Sequence, residues 1–159
     1  IKHLRQIIEK VAPTNSRVMI TGPSGAGKEM VARAIHALST RSNGPFVTIN
    51  AAMITPERME IELFGSEMEG GVRKIGALEE AHGGILYLDE IADMPRETQG
   101  KILRVLTGQT FERVGGTKRV KVDVRIISST AQNLENLISD GRFREDLFHR
   151  LSVVPITVP

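Results

Sequence analysis

Cysteine is absent from the 159-residue chain, which excludes a disulfide framework, a thiolate zinc site and a cysteine nucleophile, and fits a reducing compartment. Tryptophan is absent too, and one Tyr and five Phe are too few for a base-stacking platform. Charge of one sign is also scarce. The 21 basic and 19 acidic residues leave a net charge of +2, no electrostatic footprint for nucleic acid even at a sequence pI of 9.2. No apolar run approaches the length that spans a bilayer, and Ile1-Lys2-His3 opens with neither an initiator Met nor a signal-peptide pattern. What is present is an ordinary globular composition, 40% apolar and 25% charged, in a chain long enough to bury one core. The expectation is a single domain over 1–159, excerpted from a longer cytoplasmic protein, with no membrane partner.

Leu4, Ile7, Ile8 and Val11 recur at helical spacing before Pro13-Thr14-Asn15-Ser16 ends the pattern. Residues 17–21 read as a strand, 28–38 as a helix with Val31, Ala34, Ile35 and Leu38 on one face, and 46–50 as a second strand. Thr55-Pro56 signals a helix start, carried through Leu63. A polar, glycine-bearing loop over 65–74 is followed by a helix over 75–82 and, past Gly83-Gly84, by the apolar run 85–88 that ends in Asp89-Glu90. Pro95 begins another helix, and Gly115-Gly116 between strand-like flanks marks a hairpin over 111–122. A strand over 124–128, helices over 134–139 and 144–151 and a last strand over 153–158 complete the chain, Pro155 assigning that strand to an edge or a terminus. Strands alternating with helices imply an α/β fold, a mainly parallel sheet covered on both faces.

Two motifs carry chemistry. Gly22-Pro23-Ser24-Gly25-Ala26-Gly27-Lys28 has Walker A spacing and lies between a strand and a helix. There glycines let backbone N–H groups close around phosphate oxygens, the helix presents its positive N-terminus, and Lys28 adds a point charge. Glu29 stands where Ser or Thr ordinarily ligates magnesium, and Met30 completes the candidate ATP-binding segment. The second motif, Ile85-Leu86-Tyr87-Leu88-Asp89-Glu90, delivers two carboxylates at the C-terminal end of an apolar strand, where open α/β sheets bind their ligands. Asp89 is the candidate holder of Mg²⁺, directly or through water, and Glu90 the group that orients and polarises an attacking water. Strand ends are often acidic because they face solvent, but an adjacent pair downstream of a Walker A loop favours nucleotide hydrolysis.

From Ile7 to Pro159 the sequence resembles the central AAA+ ATPase domain of NtrC-type, sigma-54-dependent bacterial transcription activators, many of them response regulators of two-component systems. ITGPSGAGKEMVARAIH, ELFG, GALEEAHGGILYLDEIADMP, LRVL, FERVGG, DVRIISST and FREDLFHRLSVVPI follow in that family's order. The resemblance implies a P-loop NTPase fold, Glu after the Walker A lysine, and a homo-oligomeric ring, usually a hexamer, with ATP at subunit boundaries. It also implies DNA contact through a domain outside this chain. By motif position Asn50 is similar to the family's switch asparagine, which holds the Walker B glutamate, here Glu90, until the nucleotide state changes. Thr130 is similar to sensor I, and Arg144 and Arg150 to the arginine fingers that complete a neighbour's site. On chemistry alone Asn50 reads as a cap, Thr130 as a turn residue and the two arginines as solvated charges.

Two departures bear on function. The chain stops at Pro159, before the small helical lid that carries sensor II in that family. The interval 66–75, SEMEGGVRKI, is shorter than usual and lacks the GAFTGA hexapeptide that contacts sigma-54, which resembles the NtrX branch, nitrogen-related response regulators of alphaproteobacteria. A sigma-54-remodelling ATPase and an ATP-controlled assembly module of a DNA-binding regulator both stay open at this point. A DNA-remodelling AAA+ motor would share the Walker motifs without ELFG, FERVGG or FREDLFHRL. His3, His36, His82 and His149 show no metal-ligand spacing. Arg113, Lys118, Arg119, Lys121 and Arg125 form a basic hairpin region, read first as a solvated face and second as a surface for DNA or a neighbouring subunit.

Overall fold

The computed structural model describes residues 2–67 and 73–159. Helix α1 (Lys2–Val11) leads into strand β1 (Val18–Thr21), helix α2 (Lys28–Leu38) and strand β2 (Phe46–Asn50). Helix α3 (Pro56–Phe64) starts with its proline in the first turn, where the missing N–H costs no hydrogen bond. The short strands β3 (Ser66–Glu67) and β4 (Arg73–Lys74) pair antiparallel, so part of the expected loop is ordered as a ladder. Met68 and Val72, its apolar residues, fall outside the described residues. Helix α4 (Ala77–Glu80) is shorter than its periodicity suggests, because Gly76 is extended and lies against Gly65 so closely that a Cβ on Gly65 would meet the Gly76 nitrogen at 2.9 Å.

Strand β5 (Ile85–Asp89), helix α5 (Arg96–Gly108), the hairpin of β6 (Thr110–Glu112) and β7 (Arg119–Lys121), strand β8 (Arg125–Thr130), helices α6 (Leu134–Ser139) and α7 (Glu145–Leu151) and strand β9 (Val154–Thr157) follow. The main sheet has the order β2-β5-β8-β1-β9, all parallel. β9 is an edge strand, the position that tolerates Pro155. Alternate residues of the central strands feed two cores. Val18, Ile20, Ile85, Tyr87 and Ile127 pack against α1 and α2, whereas Met19, Leu86, Leu88 and Ile126 pack under α3 to α7. Burial on both faces explains why β5 reads as a continuous apolar run.

The basic region departs from its reading as a solvated face. Arg113 is buried. It donates to the Glu79 carboxylate at 2.8 and 2.9 Å and to Glu67 at 2.7 Å, and these acids, Glu79 first, raise its pKa. Arg125 is 2% exposed and donates to the carbonyls of Ser16, Ala12 and Val11, closing the C-terminal end of α1. Burial makes a charged side chain tenable only when its donors are satisfied, and both arginines meet that condition. Lys118, Arg119 and Lys121 are exposed as expected.

Candidate nucleotide site

β1 runs between β8 and β9, so the loop after Thr21 leaves the C-terminal edge of the sheet between those two strands. Gly22 passes so close to β9's end that a Cβ there would lie 2.5 Å from the Val158 carbonyl oxygen. Gly25 and Gly27 have φ of 81° and 91°, left-handed values that cost a side-chain-bearing residue about 1 kcal/mol or more. Gly27 then opens α2 without a side-chain cap, leaving the first-turn N–H groups available to an anion. Lys28 Nζ donates to the Gly22 and Pro23 carbonyls at 2.8 and 2.9 Å and so draws the loop around itself. Glu29 pairs along the helix with Arg33 at 3.0 Å.

The opposite wall follows from the pleat. β2 and β5 are in register with Asn50 beside Asp89, and Leu88 pairs with Ser128, which sets Asp89 beside Ser129. Side chains alternate across a strand, so Asn50, Tyr87, Asp89 and Ser129 share the face that α2 covers. Asn50 Nδ2 donates to Asp89 Oδ2 at 3.3 Å, Ser129 Oγ donates to Asp89 Oδ1 at 2.8 Å, and the Tyr87 hydroxyl donates to Ser129 Oγ at 2.8 Å. Burial, with the Asp89 charge adding a smaller effect, pushes the Tyr87 hydroxyl up to about 12. Glu90 belongs to the other parity and takes a left-handed φ of 53°. Its Oε1 accepts from the Thr130 hydroxyl at 2.5 Å and its Oε2 from the Ala131 N–H at 3.2 Å.

The Asn50 amide meets Asp89 and the Glu90 carboxylate meets Thr130, because in-register parallel strands place Asn50 beside Asp89 while the glutamate turns toward the end of β8. The Asn50 Oδ1 also accepts from the Ala52 N–H at 2.9 Å, a local cap of the turn that follows.

Between the walls lies a cleft of about 400 Å³, lined by Ser24, Gly25, Gly27, Lys28 and Glu29 on the loop side and by Asn50, Ala52, Tyr87, Asp89 and Glu90 on the strand side. Gly22, Pro23, Ala26 and Met30 do not line it. The first two accept from Lys28, Ala26 packs on the α1–α2 core, and Met30 is 76% exposed. Arg144 and Arg150 also lie elsewhere. Arg144 precedes α7 as an extended cap, and its guanidinium grips the Asp146 carboxylate at 3.0 and 3.1 Å, holding that acid below the usual carboxylate range. The Arg150 carbonyl accepts from Arg17. Buried Gln99 fixes this corner: its amide donates to the Met94 and Arg142 carbonyls and its Oε1 accepts from the Arg144 N–H. Tyr87 and Ser129 lie inside the motif segments without a role of their own there, and Gln99 lies outside them. Only the strand register, unknown from sequence, reveals the first two.

The donor set fits magnesium carried in with phosphates. Each Asp89 oxygen accepts one protein hydrogen bond and keeps further lone-pair capacity. Among the described residues no group of three or more His, Cys, Asp or Glu could hold a metal ion alone.

Comparison with known proteins gives the same family from several directions. The model of the Sigma-54 interaction domain matches residues 1–157. The nitrogen assimilation regulatory protein NtrX of Azorhizobium caulinodans is 67% identical over 160 residues, covering 100% of this chain and 35% of that protein. A crystal structure of NtrX from Brucella abortus superposes with a TM-score of 0.97 at 83% identity, covering 99% of this chain and 36% of the other. A structure of that protein in complex with ATP gives 0.95 at 81% identity, with coverages of 99% and 35%. The chain therefore spans about a third of the length of these relatives. The parallel sheet and the strand–loop–helix at residues 18–38 are those of a P-loop NTPase. Among the described residues no helix is long and apolar enough to cross a membrane.

Proposed function

The chain belongs to the Sigma-54 interaction domain family, and from that premise we propose that it binds and hydrolyses ATP within a response regulator of the NtrX and NtrC type, with nucleotide controlling assembly on DNA. The observation that carries this reading is the convergence of the Lys28 loop and the Asp89-Glu90 strand end on one cleft. The ATP complex of the Brucella abortus protein, 81% identical, supports it.

The chain's own groups have separable parts. Loop N–H groups and the start of α2 receive phosphate oxygens, and Lys28 exchanges its contacts with the Gly22 and Pro23 carbonyls for charge-assisted ones to phosphate. Asp89, oriented by Asn50 and Ser129, would hold a magnesium ion directly or through water, and the ion would supply charge neutralisation to the phosphates. Glu90 orients water only after leaving Thr130, whose single hydroxyl proton serves either the glutamate or a phosphate oxygen. Arg144 and Arg150 lie outside their own chain's cleft, which suits service to the next subunit of a ring, a hexamer in the active state.

A second reading, remodelling of sigma-54 polymerase, is favoured by the family's description. Against it, residues 66–75 offer no GAFTGA sequence, and a conformational change works on a partner only through differential contacts. The test is open-complex formation at a sigma-54 promoter by the full-length protein, alongside sedimentation with and without ATP. ATP-dependent association without melting supports the proposal. Robust melting refutes it in favour of the second reading.

A further inference from the structure

Three polar side chains of the site form a chain in series that the nucleotide-binding motifs do not require. The Tyr87 ring is wedged into the α2 face of the sheet, stacked on Phe46 at 6.0 Å between centroids with 25° between planes. Phe46 is in turn flanked by His36 and by the Arg33 guanidinium, 4.7 Å from its ring centre. The tyrosine is fully buried and its two torsions are set by packing, so its hydroxyl has one destination, Ser129 Oγ. A serine hydroxyl has one proton, and this one, relieved of donating to Tyr87, goes to Asp89 Oδ1. Hydrogen bonds in series polarise one another in a low-dielectric interior. With Asn50 on Oδ2, the carboxylate plane is held from both sides.

We infer that Tyr87 and Ser129 are positioning residues for the metal-facing carboxylate, fixing the rotation of Asp89 through a relay that runs from the Phe46 stack to the cleft. This rests on the reading of Asp89 as the group that faces magnesium in a nucleotide site. The relay acts on the metal and not on the phosphate loop, because none of its donors reaches residues 22–28. Partners that orient a metal-facing group are worth about 10- to 100-fold in metal affinity or activity when removed.

The experiment measures binding of a methylanthraniloyl-labelled ADP to the full-length protein across free Mg²⁺ concentrations and, separately, in EDTA. Ser129→Ala deletes the donor to Asp89. Tyr87→Phe removes a single oxygen and leaves the ring packing, so it reports even where the first variant folds poorly. The Mg²⁺ concentration for half-maximal binding rises about tenfold in Ser129→Ala and by a smaller factor in Tyr87→Phe, while affinity in EDTA stays at the wild-type value. Because the groups act in series, the double variant matches Ser129→Ala alone. Equal losses with and without Mg²⁺, additive losses, or no shift in Mg²⁺ dependence would overturn the relay. If the wild type binds nucleotide equally well in Mg²⁺ and EDTA, the relay fails and the nucleotide site stands. If wild type and Lys28→Ala both fail to bind, the nucleotide reading itself fails and takes the relay with it.

Discussion

Replacing Arg125 by Met tests whether a charged side chain inside the sheet holds the first helix in place. The guanidinium donates from Nε to the Ser16 carbonyl at 2.8 Å, from Nη1 to Ala12 at 2.8 Å and from Nη2 to Val11 at 3.1 Å. Burial first, and the nearby Arg41 charge second, lower its pKa, but an arginine stays charged throughout the working range. Each hydrogen bond from a charged donor contributes about 1.5 to 3 kcal/mol net. Three would sum to roughly 4.5 to 9 kcal/mol, of which part is recovered as the carbonyls ending α1 rotate toward water. Met keeps most of the apolar volume, so a loss of about 3 to 5 kcal/mol is expected. In urea, with a slope of about 2 kcal/mol per molar, the unfolding midpoint of the 159-residue chain falls by about 2 M. Lys121→Met, on the exposed edge of the hairpin, serves as control and stays within about 0.5 kcal/mol. A loss below about 1 kcal/mol for Arg125→Met would refute the reasoning, because it would mean that the three carbonyls find equivalent partners without the guanidinium.

Tyr87 gives an alkaline signature. Its folded-state value is pushed up to about 12 from 10.0, so its contribution to stability is full below pH 10 and is lost as pH rises from 10 toward 12, because the unfolded chain releases the proton first. Linkage sets the loss at roughly 2 to 3 kcal/mol; denaturation between pH 9 and 11.5 should show that part of the decline in wild type and not in Tyr87→Phe. Shared sites are tested by mixing: Glu90→Gln and Arg144→Ala proteins, each inactive, should recover ATPase activity together, since an arginine supplied in trans is worth about 10³ to 10⁵ in rate. No recovery in rings shown to be mixed argues against arginines acting across a boundary.

What was legible in the sequence was whatever local chemistry decides. Lys28 to Leu38 is helical because Val31 and Ile35 share a face and residues 39–45 stop it, and β5 reads as buried because Ile85 to Leu88 have no charged residue to turn outward. The loop and the carboxylate pair were equally legible, since phosphate binding demands glycines before a helix and the strand end is where the cleft opens. What depended on register was not. The link between Asn50 and Glu90 comes only from the family resemblance, whereas the contacts of both in this structure follow from pleat parity, which sets Asn50 beside Asp89 and turns Glu90 to Thr130. The same holds for Ser129, which lies beside Asp89 only through the pairing of Leu88 with Ser128. Arg113 and Arg125 looked like surface charges because their partners, Glu67, Glu79 and the end of α1, are remote in the chain. No composition or spacing brings those partners to them.

The most direct test of the central claim is a calorimetric titration of ATP with Mg²⁺ into the full-length protein and its Lys28→Ala variant. Lys28 already gathers the loop through the Gly22 and Pro23 carbonyls, and its charge-assisted contact to phosphate contributes about 1.5 to 3 kcal/mol. The expected outcome is saturable binding by the wild type and affinity weakened by about 10- to 150-fold in the variant. Equal ATP affinity in the two proteins would contradict it.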